Sequence, residues 1–113
     1  MRAAVYVRVS TPKQVHQQTL EQQLERLRDH LREQGLTLEE SLIFRDDGYS
    51  GSRLNRPGLD RLRDAIRERR IDQVVLTAPD RLARNYVHQV LLLEEFEQNG
   101  CQVFAHYGAH QHR

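Results

Sequence analysis

Cysteine occurs once in this chain, at Cys101, so no intramolecular disulfide framework can staple it, and a reducing compartment is expected. No apolar run approaches the roughly 20 residues a membrane-crossing helix needs. The amino-terminal residues also lack the apolar core of a signal peptide. A cytoplasmic protein with no membrane partner is the expectation. Metal-ligand spacing is missing as well. Asp46 and Asp47 are adjacent carboxylates with no further Asp, Glu or His at ligand distance in sequence, and His106, His110 and His112 fall in or beside a polar tail. The segment Gly48 to Gly51 lacks the Gly-Lys-Ser/Thr ending of a phosphate-binding P-loop. Excess charge is absent too: the net charge of +1 excludes a domain that holds nucleic acid by bulk electrostatics.

Lysine is nearly absent, and this shortage turns the reading toward what is present. Of the 17 basic residues all but Lys13 are arginine. Arginine suits planar, two-point contact with phosphate, although a compositional preference accounts for most of those on surface helices. With 38% apolar and 29% charged residues in 113, the chain has the makings of one globular domain with a modest core.

Strand and helix patterns alternate. Ala3 to Ser10 is β-branched and aromatic, and it breaks at Ser10-Thr11-Pro12. Its side chains alternate between faces, so Ala3, Val5, Val7 and Val9 share one and Ala4, Tyr6, Arg8 and Ser10 the other. Thr11 to Thr19 reads as a loop leading into a helix with Leu20, Leu24, Leu27 and Leu31 on one stripe and Gly35 at its end. Glu39 to Arg45 is a second strand, and Asp46 to Pro57 a long loop. Either Asn55 or Pro57 opens a helix that buries Leu59, Leu62 and Ile66. Asp72 to Thr77 is a continuous apolar strand of the kind found inside parallel sheets. Asp80 opens a third helix with Leu82, Val87, Val90, Leu91 and Phe96 as its apolar positions, closed by Asn99-Gly100. Cys101 to Tyr107 is a fourth strand, and Gly108 to Arg113 a polar tail. The expected fold is a three-layer α/β domain whose four-stranded, mostly parallel sheet is flanked by helices.

Two clusters carry chemistry. The first strand aligns a phenol, a guanidinium and a hydroxyl and ends on Ser10. By itself this pattern also fits an edge strand with one wet face. The second cluster is Asp80-Arg81-Leu82-Ala83-Arg84. Two arginines at a helix amino terminus oppose the macrodipole by a few tenths of a kcal/mol each, roughly, unless an anion binds there. A surface helix with an Asp80–Arg84 pair is the alternative. In a parallel sheet both clusters follow strand carboxyl ends, so they lie on one rim. Arg8, Arg81 and Arg84 can then surround a phosphate beside Ser10, with Arg56 closing over from the long loop.

These residues together resemble the catalytic domain of the serine recombinases, the resolvase/invertase superfamily. Tyr6-Val7-Arg8-Val9-Ser10-Thr11 is similar to the family's nucleophile strand, Gln23 to a glutamine on its first helix, and Asp80-Arg81-Leu82-Ala83-Arg84 to its Asp-Arg-x-x-Arg signature. Asn55-Arg56-Pro57-Gly58-Leu59 resembles its loop arginine. Phe44 to Gly51 resembles the segment that carries its acidic residue, Asp46 being the first choice and Asp47 the second. The Asp-Gly-Tyr-Ser-Gly and Arg-Pro-Gly-Leu wording looks more like the large serine integrases than the small resolvases. The resemblance implies that Ser10 attacks a DNA phosphodiester and forms a 5′-phosphoserine link, followed by strand exchange and rejoining. Arg8, Arg56, Arg81 and Arg84 then neutralise the phosphate, while Tyr6, Gln23, Asp46 and Asp80 orient the site. No cofactor or metal is needed, the partner is double-stranded DNA at a recombination site, and a full-length protein is expected to form a homo-oligomer. The resemblance identifies no general acid or base.

Two departures follow. Family members continue into a long dimerisation helix and a DNA-binding region, so residues 1–113 correspond to the catalytic domain without them. Pro79 also stands where an apolar residue such as leucine is common. The alternative function is a catalytically idle module that acts by dimerising with a full-length partner; the presence of Ser10, Arg8, Arg81 and Arg84 favours the enzyme.

Overall fold

The computed structural model describes residues 2–10 and 19–105. Four strands, β1 (Ala3–Val9), β2 (Ile43–Asp47), β3 (Gln73–Leu76) and β4 (Gln102–Ala105), alternate with the helices α1 (Leu20–Glu33), α2 (Pro57–Arg67), α3 (Pro79–Leu82) and α4 (Tyr86–Gln98). The sheet order is β2-β1-β3-β4, and every pairing is parallel. This is the expected α/β domain with a four-stranded parallel sheet. The alternation read from β1 sorts its side chains into two cores. Ala3, Val5 and Val7 pack with Leu24, Leu27 and Leu31 of α1. Ala4 and Tyr6 pack with Leu59, Leu62 and Ile66 of α2 and with Leu92 and Phe96 of α4.

The edge-strand reading of β1 is overturned. It lies between β2 and β3, and all seven of its residues are buried, Arg8 among them. Its pairing is uneven. The β1–β2 register runs on to Val9 opposite Asp47, whereas β1–β3 stops at Val5 opposite Val75. The strand order also reverses between β1 and β3, which is where open α/β sheets form a ligand crevice. The early departure of β3 widens that crevice around Arg8.

Several boundaries move for identifiable reasons. Asp46 and Asp47 belong to β2 rather than to the following loop, because Arg8 and Val9 continue to pair beside them. Glu40–Leu42 is a 3₁₀ turn, so Leu42 precedes the strand instead of lying in it. Asn55 does not cap α2. Arg56 is the N-cap residue with Pro57 at the first position, and Arg56 makes no side-chain cap. The cap comes from across the sheet: the buried Asp46 accepts from Gly58 N at 2.7 Å and Leu59 N at 2.9 Å. Gly58 allows this approach, since a Cβ there would lie 2.3 Å from the Arg45 carbonyl oxygen. On α1, Thr19 and Gln22 form a reciprocal capping box. Gln34 is the C-cap, and Gly35 follows it at φ +77°.

The largest departure is the third helix. It is two helices. Ala83 is extended at φ −163°, ψ 141°, and Asn85 opens α4 by accepting from Val87 N and His88 N. Arg81 and Arg84 therefore do not share a helix face, and Asp80 does not pair with Arg84 at one helical turn. Of the apolar positions named for that helix, Leu82 and Phe96 are buried while Val87 and Leu91 are 60% and 52% exposed, and Leu92 is buried as well. The fourth strand is described over Gln102–Ala105. His106, Tyr107, His110 and His112 and the loop at 11–18 lie outside the described residues.

Two measurements check this packing. Asp46→Asn leaves one oxygen where three donors converge, so it should cost about 2 kcal/mol or more of unfolding free energy, read by urea titration. The pair Arg63–Glu95 joins α2 to α4 at 2.7 Å. Hydrogen bonding from Arg63 holds the Glu95 carboxyl below its ordinary range. Its stabilisation is therefore complete above the unfolded carboxyl's pKa and is lost as pH falls through the lower folded value. Glu95→Gln should cost about 1 kcal/mol at pH 7, and the gap to the unsubstituted chain should close on acidification.

Candidate active site

β1 ends at the rim of the crevice, and Arg8 reaches along it to Ser10. Its Nη1 donates to Ser10 Oγ at 2.9 Å and to the Tyr49 carbonyl at 3.0 Å. Its Nε donates to the Arg81 carbonyl at 3.0 Å and its Nη2 to the Asp80 carbonyl at 2.7 Å. The cation is thus fixed by three backbone carbonyls and aimed at one hydroxyl. Because Oγ accepts from Arg8, its own proton points elsewhere, and a developing negative charge on that oxygen would sit beside a guanidinium. Burial, together with the Arg56 and Arg81 guanidiniums, lowers the Arg8 pKa from its ordinary value.

The backbone of Arg8 is held as well. Gln23 Nε2 donates to the Arg8 carbonyl at 3.0 Å, and Arg8 N donates to Gln23 Oε1 at 3.3 Å. The buried primary amide of Gln23 thus does for the Arg8 peptide what a neighbouring strand would do. Arg81 Nη1 adds a second bond to the same carbonyl at 3.0 Å. The Arg81 Nε is buried without a partner among the described residues.

Beneath this layer Tyr6, Asp46 and Arg56 form a second one. The Tyr6 hydroxyl donates to Asp46 Oδ2 at 2.5 Å and accepts from Arg56 Nη1 at 3.1 Å. Burial raises the Tyr6 pKa well above the ordinary phenol range, Arg56 opposes that shift, and Asp46 adds to it. The phenol keeps its proton and acts as a donor. Arg56 is fully buried. It spends its remaining donors on the carbonyls of Arg53, Arg81 and Leu82. It therefore braces the site from behind instead of closing over its rim.

The predicted residues thus divide. Ser10, Arg8, Gln23 and Arg81 are joined directly. Tyr6, Asp46 and Arg56 support them from the core. Asp80 enters through its carbonyl, its side chain being exposed. Arg84 is exposed, and its backbone N donates to the Gly51 carbonyl at 2.9 Å. Asp47 is exposed and takes no part in the network, unlike Asp46. Beside Ser10 an open cleft of about 460 Å³ is lined by Gly48, Tyr49, Ser50, Arg53, Asn55 and Arg56. Sequence reasoning passed over Tyr49, Gly51 and Arg53. Tyr49 and Arg53 contribute backbone carbonyls, which carry no sequence signal; the Gly51 requirement is one of close approach and was visible only as a loop glycine.

The charge balance of the site differs from that of the surface. The ion pairs among the described residues use Arg2, Arg28, Arg32, Arg45, Arg63, Arg67 and Arg70. None uses Arg8, Arg53, Arg56, Arg81 or Arg84. Backbone carbonyls and the Ser10 and Tyr6 hydroxyls, not carboxylates, accept the hydrogen bonds of the buried guanidiniums. Among the described residues no three His, Cys, Asp or Glu side chains gather as a metal ion would require.

Known proteins share this fold. The catalytic domain of TP901-1 integrase superposes with a TM-score of 0.85 at 29% identity, covering 93% of this chain and 77% of that one. The catalytic domain of ISC1926 TnpA, an IS607-like serine recombinase, superposes at 0.83 and 28% identity, covering 99% and 71%. Transposon Tn3 resolvase of Escherichia coli is 35% identical over 103 residues, 91% of this chain and 49% of that protein. A Bacillus subtilis (strain 168) protein is 34% identical over 101 residues, 88% of this chain and 19% of its own length. The chain therefore spans between a fifth and a half of these two curated relatives. Residues 3–111 match the family described as Resolvase, N terminal domain, and the chain belongs to that family of serine recombinase catalytic domains.

Proposed function

We propose that residues 1–113 are the DNA-cleaving domain of a site-specific recombinase, with Ser10 as its nucleophile. The observation that supports this is the hydroxyl of Ser10 held 2.9 Å from a buried guanidinium, among arginines that form no ion pair among the described residues. Such a site favours a substrate that brings negative charge and gains more of it at the reacting oxygens. A phosphodiester of DNA is that substrate.

In the reaction Ser10 Oγ bonds to phosphorus and gives up its proton. The bond from phosphorus to the 3′ oxygen breaks, and that oxygen leaves as a hydroxyl after taking up a proton. The product is a 5′-phosphoserine, which conserves the energy of the bond, so rejoining after strand exchange is the same step reversed and needs no nucleotide. Arg8 orients Ser10 and stabilises charge on Oγ. Arg81 and the exposed Arg84 take the phosphate oxygens. Tyr6, Asp46, Gln23 and the buried Arg56 hold these groups in place, and Asp80 anchors Arg8 through its carbonyl. The relatives' greater length supports further parts that bind the recombination site and join copies of the protein, so double-stranded DNA and a homo-oligomer are the proposed partners.

The test is a covalent adduct. This chain, alone and fused to a DNA-targeting module, is incubated with nicked and supercoiled DNA and run on denaturing gels. An adduct that Ser10→Ala abolishes is the expected result. Arg84→Ala should slow its formation about 100-fold while leaving the melting temperature unchanged, since the Arg84 side chain is exposed. Equal adduct from Ser10→Ala, or none from either form, would remove the enzymatic reading and leave the idle dimerising module.

A further inference from the structure

We propose that Gly51 is a positioning residue whose missing side chain lets Arg8 and Arg84 stand together at the Ser10 hydroxyl. The proposal deepens the reading of Ser10 as nucleophile and rests on it for its catalytic consequence.

A Cβ added at Gly51 would lie 2.6 Å from Arg8 Nη2, 2.8 Å from Arg8 Cζ and 2.6 Å from Arg84 Cγ. Those distances are far inside van der Waals contact, so a side chain at this position displaces one arginine or the other. Conformation does not require the glycine, because Gly51 is not among the positive-φ residues. Gly48, three residues earlier, is the converse case. Its φ is +86°, and a Cβ there meets nothing within 4 Å.

Arg8 has nowhere to retreat. Four of its donor contacts go to Ser10 and to the carbonyls of Tyr49, Asp80 and Arg81. Moving its Nη2 end away from Gly51 breaks the fork that also holds Nη1 on Ser10. Moving the Arg84 Cγ instead turns its side chain about χ1 and swings the exposed guanidinium out of its place at the rim, while its backbone N can stay on the Gly51 carbonyl at 2.9 Å. Gly51 therefore sets the separation between the cation fixed on the nucleophile and the exposed cation at the rim. The cleft loop carries Tyr49, which accepts from Arg8, so loop and nucleophile are registered against each other at this one residue.

The experiment reads the field at position 10 without DNA. Ser10→Cys places a thiol where Arg8 donates, and the pH dependence of its alkylation gives its pKa. Cys101 stays silent because it is buried, and its thiol is pushed up to about 12, chiefly by burial. The position-10 thiol should titrate below the ordinary value of about 8.5. Adding Gly51→Ala should move its midpoint up by about one unit. Adding it to a chain that already carries Arg8→Ala should move it no further. Adding Gly48→Ala, which strains the loop but strikes neither arginine, should leave the midpoint in place. The proposal falls if Gly51→Ala leaves the midpoint unchanged, if Gly48→Ala moves it as far, or if the shift persists without Arg8. It also falls if Gly51→Ala unfolds the chain, seen as two reactive thiols in place of one, because the role is then purely structural. In the adduct assay Gly51→Ala with Ser10 intact should slow the reaction about 100-fold, as expected for a misplacement near 1 Å. If the unsubstituted chain forms no adduct, the recombinase reading fails while the thiol titration still decides the role of Gly51.

Discussion

Two guanidiniums buried without a carboxylate partner are the constraint on which this structure depends. Burying a charge is costly unless it is fully hydrogen-bonded. Arg8 and Arg56 meet that requirement largely with backbone carbonyls; Tyr49 and Arg53 supply one each from the cleft loop, and the rest come from the interruption between α3 and α4. In an uninterrupted helix the carbonyls of Asp80, Arg81 and Leu82 would accept from N–H groups four residues on. The break at Ala83 releases all three. Arg8 takes those of Asp80 and Arg81, and Arg56 takes that of Leu82. The interruption looks like a defect in an amphipathic pattern, yet it is what makes two buried cations affordable.

The same logic shapes the sheet. Where β3 leaves β1 after Val75, the Arg8 peptide would be left with unmet backbone groups. Gln23 meets both of them with one amide, and Arg81 adds a charged donor. A neutral side chain from α1 and a charged one from α3 thus replace a strand at the switch point. This leaves a polar crevice in a sheet that is otherwise packed on both faces. The positive charge gathered there is held by dipoles and so remains available to an anion. Seven arginines away from the site, in contrast, pair with Asp or Glu among the described residues.

Much of this was legible in the sequence because it follows from periodicity. The alternation in β1 and the stripe of α1 repeat at spacings that only one secondary structure satisfies, and the apolar run of β3 is short and rich in valine, as a buried strand is. The pairing of Ser10 with Arg8 was legible for the same reason, since residues two apart share a strand face. What failed involved partners distant in sequence. Nothing near Pro57 reveals that its helix is capped by Asp46 from another strand. Asn85 is a good N-cap residue, but the apolar positions on either side of it read equally well as one continuous helix. Val87 and Leu91 lie on the exposed side of the restarted helix. Once α4 restarts at Tyr86, Leu92 and Phe96 alone define its inner face, and the earlier apolar positions turn outward.

Asp46 ties these strands of argument together. Its oxygens cap α2 and fix the Tyr6 hydroxyl, which in turn meets Arg56. Arg56 shares the Arg81 carbonyl with Arg8, so a chain of hydrogen bonds runs from the cap of a core helix to the nucleophile's own partner. Tyr6, Arg8, Asp46 and Arg56 in that chain are buried, so water cannot readily substitute for their partners. The consequence is rigidity where the proposed chemistry needs it. The Ser10 hydroxyl stands at the end of a network whose other end is anchored in the sheet and in α2, and only Arg84 and the cleft loop are left exposed to meet a substrate.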